Sequence, residues 1–223
     1  TEKDMAWVKD MIAAGYEFQP GKTVAKNKIW YGDYIYADSN NNGVYGDDND
    51  YTFQKTSNKP KYNFGFQASA AWKGFDLSIL MQGATNYSTR MDGIMGYALF
   101  NGSSALECFM DRWHRADLYD PNSEWIPGKY PSTYNSGKES NKRTSTFNTI
   151  SSYYLRVKNL EFGYTFPSKW MSQAGISNLR LYVSGNNLLT FDNLPFGDPE
   201  APSSDRILYP QLRIWNVGVN VTF

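Results

Sequence analysis

The residues whose types and spacing best suit chemistry lie in Asp38-Ser-Asn-Asn-Asn-Gly-Val-Tyr-Gly-Asp-Asp-Asn-Asp50. Asp38, Asn40 and Asn42 place side-chain oxygens on alternate residues, and Gly43 follows where an EF-hand-like loop needs its sharp turn. The last ligand position of such a loop is Asn49 rather than a bidentate glutamate, with Asp48 and Asp50 as the nearest carboxylates. The spacing names Asp38, Asn40, Asn42, Asp48 and Asp50 as candidate calcium ligands, against the plainer reading of a solvated Asn/Asp turn cluster. The remaining reactive types are sparse. His114 is the sole histidine, set beside Arg112, Trp113 and Arg115 with no nucleophile next to it. Cys108 is the sole cysteine, which excludes an internal disulfide framework and a cysteine metal site. Asp47 and Asp48 are neighbours on a turn rather than a positioned acid–base couple. No phosphate-binding glycine loop is present, and no enzyme is expected. For ligand contact the candidates are Trp113, Trp125, Tyr130 and Tyr134, whose flat rings suit the apolar faces of sugars. The alternative is that these rings pack their own loop or touch a partner protein.

Composition narrows what could position these residues. Aromatic residues make up 17% of the 223, yet the fraction of charged residues is 20% and the mean hydropathy is −0.58. That pairing suits a transmembrane β-barrel, in which every second residue faces water, and equally an aromatic-rich secreted sandwich. No apolar run approaches the roughly 20 residues of a spanning helix. Basic and acidic residues balance at 22 each, so neither a nucleic-acid partner nor a polybasic membrane patch is indicated. The N-terminal Thr1-Glu-Lys-Asp lacks the basic and apolar regions of a signal peptide, which suggests a processed chain or part of a longer one.

Period-two patterns decide between barrel and sandwich. In Tyr62–Trp72 the residues Tyr62, Phe64, Phe66, Ala68, Ala70 and Trp72 share one face, and Asn63, Gly65, Gln67 and Ser69 the other. Ten steps at about 3.3 Å, tilted about 45°, rise roughly 23 Å, the height of an outer-membrane apolar band. Lys73-Gly74 turns the chain into a second strand in which Phe75, Leu77, Ile79 and Met81 alternate with Asp76, Ser78 and Gln82. Further strands are expected over Tyr153–Phe166, over Asn178–Leu189 and over Arg213–Phe223, where Trp215, Val217, Val219, Val221 and Phe223 share a face. Tyr154 to Lys158 run out of phase with the lower half of their strand, which predicts a bulge near Asn159. Pro167–Gly175 reads as a short turn with one helical turn opened by the proline. The spacing also predicts helices over Thr1–Ala14 and Ala105–Trp113. The expectation is an all-β fold of about five antiparallel strands. A segment 1–61 carries the Asp/Asn-rich turn and precedes strands spread over 62–223, with 84–152 and 190–210 as extracellular loops. A nearly seventy-residue stretch without strands is too long for a connector in a compact soluble domain.

Several blocks resemble the C-terminal part of SusC/RagA-type TonB-dependent transporters. They are Ser152-Tyr-Tyr-Leu-Arg-Val-Lys-Asn-Leu-Glu-Phe-Gly-Tyr-Thr-Phe-Pro167, Leu179-Arg-Leu-Tyr-Val-Ser-Gly-Asn-Asn-Leu-Leu-Thr190, Asp198-Pro-Glu200 and Val219-Asn-Val-Thr-Phe223. Gly32–Gly43, Asn63–Gly83 and Asp111-Arg-Trp113 match in type and order. The resemblance implies the last part of a 22-stranded transmembrane barrel in the outer membrane, energised by the TonB system through a part N-terminal to this chain. It also implies a SusD-like surface lipoprotein as partner, contact with membrane lipid, and uptake of oligosaccharides or, in some members, peptides. A secreted carbohydrate-binding β-sandwich is the alternative from another class.

Overall fold

The computed structural model describes residues 1–20, 27–53, 55–133, 139–172, 175–201 and 211–223. Two compact units emerge, each discontinuous in sequence: Thr1–Lys55 with Met91–Asn148, and Thr56–Arg90 with Thr149–Phe223.

The second unit is a five-stranded antiparallel sheet in simple order: β1 (Tyr62–Trp72), β2 (Phe75–Arg90), β3 (Thr149–Thr165), β4 (Asn178–Asp192) and β5 (Ile214–Thr222). Its register aligns the apolar positions of all five strands. Ala70, Leu77, Phe162, Val183 and Val217 stand in one row, and Trp72, Phe75, Tyr164, Leu181 and Val219 in the next. Phe162 keeps 51% of its surface exposed and Val217 82%, so these rows form one open apolar face. The row between them carries Ala71, Asp76, Gly163, Tyr182 and Gly218 on the opposite face, and the row on the far side of Ala70 carries Ser69, Ser78, Glu161, Ser184 and Asn216.

The expected bulge falls on Lys158. Leu80 and Met81 pair with Asn159 and Val157, and on the other side Val157 and Asn159 pair with Leu189 and Asn186. One extra residue changes which face the following residues occupy. The insertion keeps Leu155 and Val157 on the apolar face and turns Tyr154 and Arg156 to the polar one. A second shift lies between Thr85 and Tyr87, at Asn86, which has φ +60°. Asn187, opposite the Lys158 bulge, has φ +54°, and asparagine is among the few non-glycine types that tolerate this region.

Strands β2 and β3 run beyond the expected ends, so the stretch between them is 91–148 rather than 84–152, and it carries the short antiparallel pair His114–Arg115 and Trp125–Ile126; β4 continues to Asp192. The extensions lack an apolar-out pattern because they are covered: Ala84, Tyr87 and Tyr154 form a small buried cluster, with Ser88, Thr89 and Ser152 also buried. Pro167 precedes the helical turn α2 (Ser168–Met171) as its cap rather than opening it from within.

The first unit is built from short pieces. Helix α1 (Glu2–Ala13) is capped by Thr1 and Asp4 and buries Met5 and Val8 against Phe18 and Ile29. Phe18 stacks on Tyr45 at 4.7 Å where Glu17–Phe18 runs parallel to Val44–Tyr45. The helix expected over Ala105–Trp113 is only a 3₁₀ turn, Glu107–Met110. Phe109 alone of its apolar residues is fully buried, and from Asp111 onward the backbone pairs with residues 125–130 instead.

Candidate functional site

Three of the four aromatic candidates gather in the first unit. Trp113 and Tyr130 line a hollow of about 140 Å³ together with Trp30, Tyr31, Asp33 and Lys129. Trp113 is placed by a backbone bond from its N–H to the Tyr130 carbonyl at 2.9 Å. Gly32 makes the close approach possible: at φ +76° a Cβ there would sit 2.6 Å from the Trp113 Cβ and 2.9 Å from Ser132. Trp125 stacks on Tyr31 at 5.7 Å and 14°, with the Arg115 guanidinium 4.9 Å from its ring. Tyr130 meets Phe109 and Phe147 edge-on at 5.0 and 5.9 Å, so much of its ring serves packing. Its phenol is pushed up, first by burial and then by Cys108 and Asp111 nearby. Trp30, which the aromatic pattern did not single out, is half-exposed at the same hollow. Asp33 is fixed beneath it, one oxygen accepting the Trp30 N–H at 2.9 Å and the other the Asn141 side-chain amide at 2.9 Å. Tyr134 lies outside the described residues.

The Asp/Asn turn closes on itself. Asp38 accepts the N–H groups of Asn42 and Gly43 at 3.0 and 2.8 Å, Asn40 also accepts from Asn42, and Asn42 accepts from Val44 at 2.8 Å. Asp50 accepts from the backbone of Ser39, Gly46 and Asp47, and Asp47 from the backbone of Asn49 and Asp50 and the amides of Asn42 and Asn49. Arg143, whose side chain is only 10% exposed, bonds the carbonyls of Gly46 and Asp47 and reaches Asp48 at 3.4 Å. Its guanidinium lies 5.4 and 5.2 Å from the rings of Tyr36 and Tyr51. Among the described residues no group of three or more His, Cys, Asp or Glu side chains is arranged to hold a metal ion. The side chains of Asp38, Asn40, Asn42, Asp48 and Asp50 thus meet backbone, amide or guanidinium groups.

The polar face of the sheet carries two charge clusters that sequence spacing did not reveal. Arg180 on β4 bonds both oxygens of Asp76 on β2 and Glu161 on β3, the latter at 2.7 Å. Gly163 and Gly218 leave the space across which Arg180 and Tyr182 lie. Higher on the same face Arg156 donates to Thr190, Asp198 and Glu200, each at 2.9 Å. Lys158, the bulge residue, adds a 2.7 Å bond to Glu200. A side chain's partners on other strands are invisible to a one-strand pattern. The only sequence signal was Asp198-Pro-Glu200 standing apart in a loop.

No family model matches the chain. It is 29% identical over 178 residues to the TonB-dependent receptor P3 of Formosa agariphila, covering 74% of this chain and 16% of that protein. It is 25% identical over 209 residues to the TonB-dependent receptor P26 of the same organism, covering 84% of this chain and 19% of that one. The chain therefore spans less than a fifth of the length of these curated relatives. Its fold is similar to part of a chain in the RagAB peptide importer in its open-open state, with a TM-score of 0.61 and 21% identity. That likeness covers 86% of this chain and 21% of the other. These similarities agree with the SusC/RagA-type TonB-dependent receptor named from the sequence blocks.

Proposed function

We propose that this chain forms wall and loops of a TonB-dependent outer-membrane importer that takes up oligosaccharides together with a SusD-like surface lipoprotein. The observation that carries the reading is the single apolar face, in register across all five strands and left open. A carbohydrate-binding sandwich would bury such a face under a second sheet; a barrel wall offers it to lipid. On this reading the polar face lines the lumen, and the connection between β2 and β3 lies at the outer end of the wall. The TonB system acts through a part of the protein outside this chain. No covalent chemistry is assigned to any residue here.

Ligand capture is assigned to the hollow at Trp113, Tyr130 and Trp30, with Trp125 bracing Tyr31 behind it. Half-exposed rings give stacking surfaces, and Lys129 and the neighbouring backbone give hydrogen-bonding groups, the combination that suits a hydroxyl-rich ring. A peptide cargo is the second reading, favoured by the peptide importer among the structural likenesses. Labelled oligosaccharides and peptides offered to cells carrying the full-length receptor separate the two. The expected result is oligosaccharide uptake that stops without TonB and falls when Trp30 and Trp113 become alanine. Uptake independent of TonB, or membranes that release the protein in plain buffer, would overturn the importer reading.

A further inference from the structure

Segment 193–201 does not stand away from the sheet. Asp198 and Pro199 are buried and bonded from two strands, Pro199 by Tyr87 on β2 and Asp198 by Arg156 on β3, and Thr190 on β4 braces the Arg156 guanidinium. The Tyr87 hydroxyl donates to the Pro199 carbonyl, and Arg156 spreads its fork over Thr190, Asp198 and Glu200. Within the segment the Glu200 N–H returns to Asp198 at 2.8 Å, and the Ala201 N–H to the Asp198 carbonyl at 3.2 Å. The side chains of Arg156 and Asp198 keep only 3% and 5% of their surface. A buried charge is tolerated only when fully paired, and removing one partner is far costlier than losing an exposed pair. Arg156 and Lys158 balance Asp198 and Glu200, so the cluster is neutral as a whole.

We infer that Arg156 anchors a fixed internal strap: residues 193–201 are drawn down onto the polar face of β2–β4 and held there as a permanent ledge. The inference rests on the reading that this face lines the lumen. The ledge covers the upper polar face with a neutral surface, so a passing solute does not meet Arg156 or Asp198. The open wall then continues below it, through the row of Gln67, Leu80, Asn159, Asn186 and Ile214 to that of Ser69, Ser78, Glu161, Ser184 and Asn216. Arg156 is a positioning residue, acting on solute only through the strap it holds. The Lys158 bulge is part of the device, because without it Arg156 would point to the apolar face.

The strap is tested in the full-length receptor with Cys108→Ser and Ala201→Cys, by the rate of maleimide labelling. In the parent, labelling is expected to be slow. In Asp198→Asn with Glu200→Gln, which keeps shape and removes the charge pairing, it is expected to rise about tenfold as local opening becomes easier. Equal rates within about twofold, in proteins that both keep a heat-modifiable folded band, would overturn the strap. Should the double variant not fold, Lys158→Met takes its place, with a rise of about threefold expected and an unchanged rate overturning the proposal. Fractionation of the parent reports separately on the importer reading: a protein absent from the outer membrane defeats that reading, whatever the labelling rates.

Discussion

In the strand unit backbone groups satisfy one another across five strands, and side chains mainly decide which face meets which solvent. In the loop unit the closing bonds come from side chains: Asp38, Asp47 and Asp50 collect backbone N–H groups, and Arg143 collects carbonyls. The first arrangement is a repeating pattern in which one residue more or less changes everything downstream. The second is a set of particular bonds, each replaceable at local cost. Changes in the strand unit should therefore fail globally, and changes in the loop unit locally.

Deleting Lys158 should have the largest effect. It would place Leu155 and Val157 on the polar face and Arg156 on the apolar one, exchanging every side chain above the bulge. The expected outcome is loss of the heat-modifiable folded band in membranes; a normal band would show that the bulge does not set the phase. Next in size is Leu160→Arg, in the row of Ala68 and Ile79 near the middle of the strands. On the importer reading this position faces lipid, and the change should cost about 2–4 kcal/mol in denaturant unfolding from bilayers. Ser184→Lys, one row away on the polar face, should cost under about 1 kcal/mol. Similar costs for the two would remove the assignment of faces.

This division also explains what could be read from residues alone. Alternation in Tyr62–Trp72 and Trp215–Phe223 has a period, and a period survives without coordinates, so strand number, faces and the bulge were legible. The upper ends of β2 and β3 were not, because Tyr87, Thr89 and Tyr154 are buried there and no lipid face imposes alternation. The 3₁₀ turn at Glu107–Met110 had helical spacing, but pairing of Asp111–Trp113 with residues near Tyr130 won the backbone. At the candidate hollow, Trp113 and Tyr130 were named from type alone. Trp30 and the Gly32 approach were not, since nothing local says that residues near 30 and 130 meet. Arg143 as the closure of a turn about ninety-five residues away was equally out of reach.

Arg143→Gln tests the loop unit. Losing a buried guanidinium that serves two carbonyls and a carboxylate should cost about 1.5–3 kcal/mol, confined to that unit. Hydrogen exchange should quicken at Gly46, Asp47 and Asp50 while the amides of β1–β5 stay protected. Equal quickening in the strands would mean that the units are not separable in this way.

The smallest effect expected is that of pH on the Asp/Asn turn. Partial burial acts to raise the Asp47 carboxyl, but bonds from the side chains of Asn42 and Asn49 and from the backbone of Asn49 and Asp50 outweigh it and hold the group below its usual range. A carboxyl lowered on folding adds stability above its unfolded value, and that stability drains away as pH falls through the lowered folded value. Burial pushes the Tyr36 phenol up, only partly offset by Arg143, so its contribution is complete below the ordinary phenol range and is lost as pH rises through the raised folded value. Exchange at Asn49 and Asp50, normalised to intrinsic rates, should therefore stay flat from neutral pH down to the ordinary carboxylate range and quicken progressively from there as pH falls toward the lowered folded value. Rates that stay flat through that fall would mean that the Asn42 and Asn49 amides do not hold Asp47 in solution, and the turn would then be closed by Asp38, Asp50 and Arg143 without it.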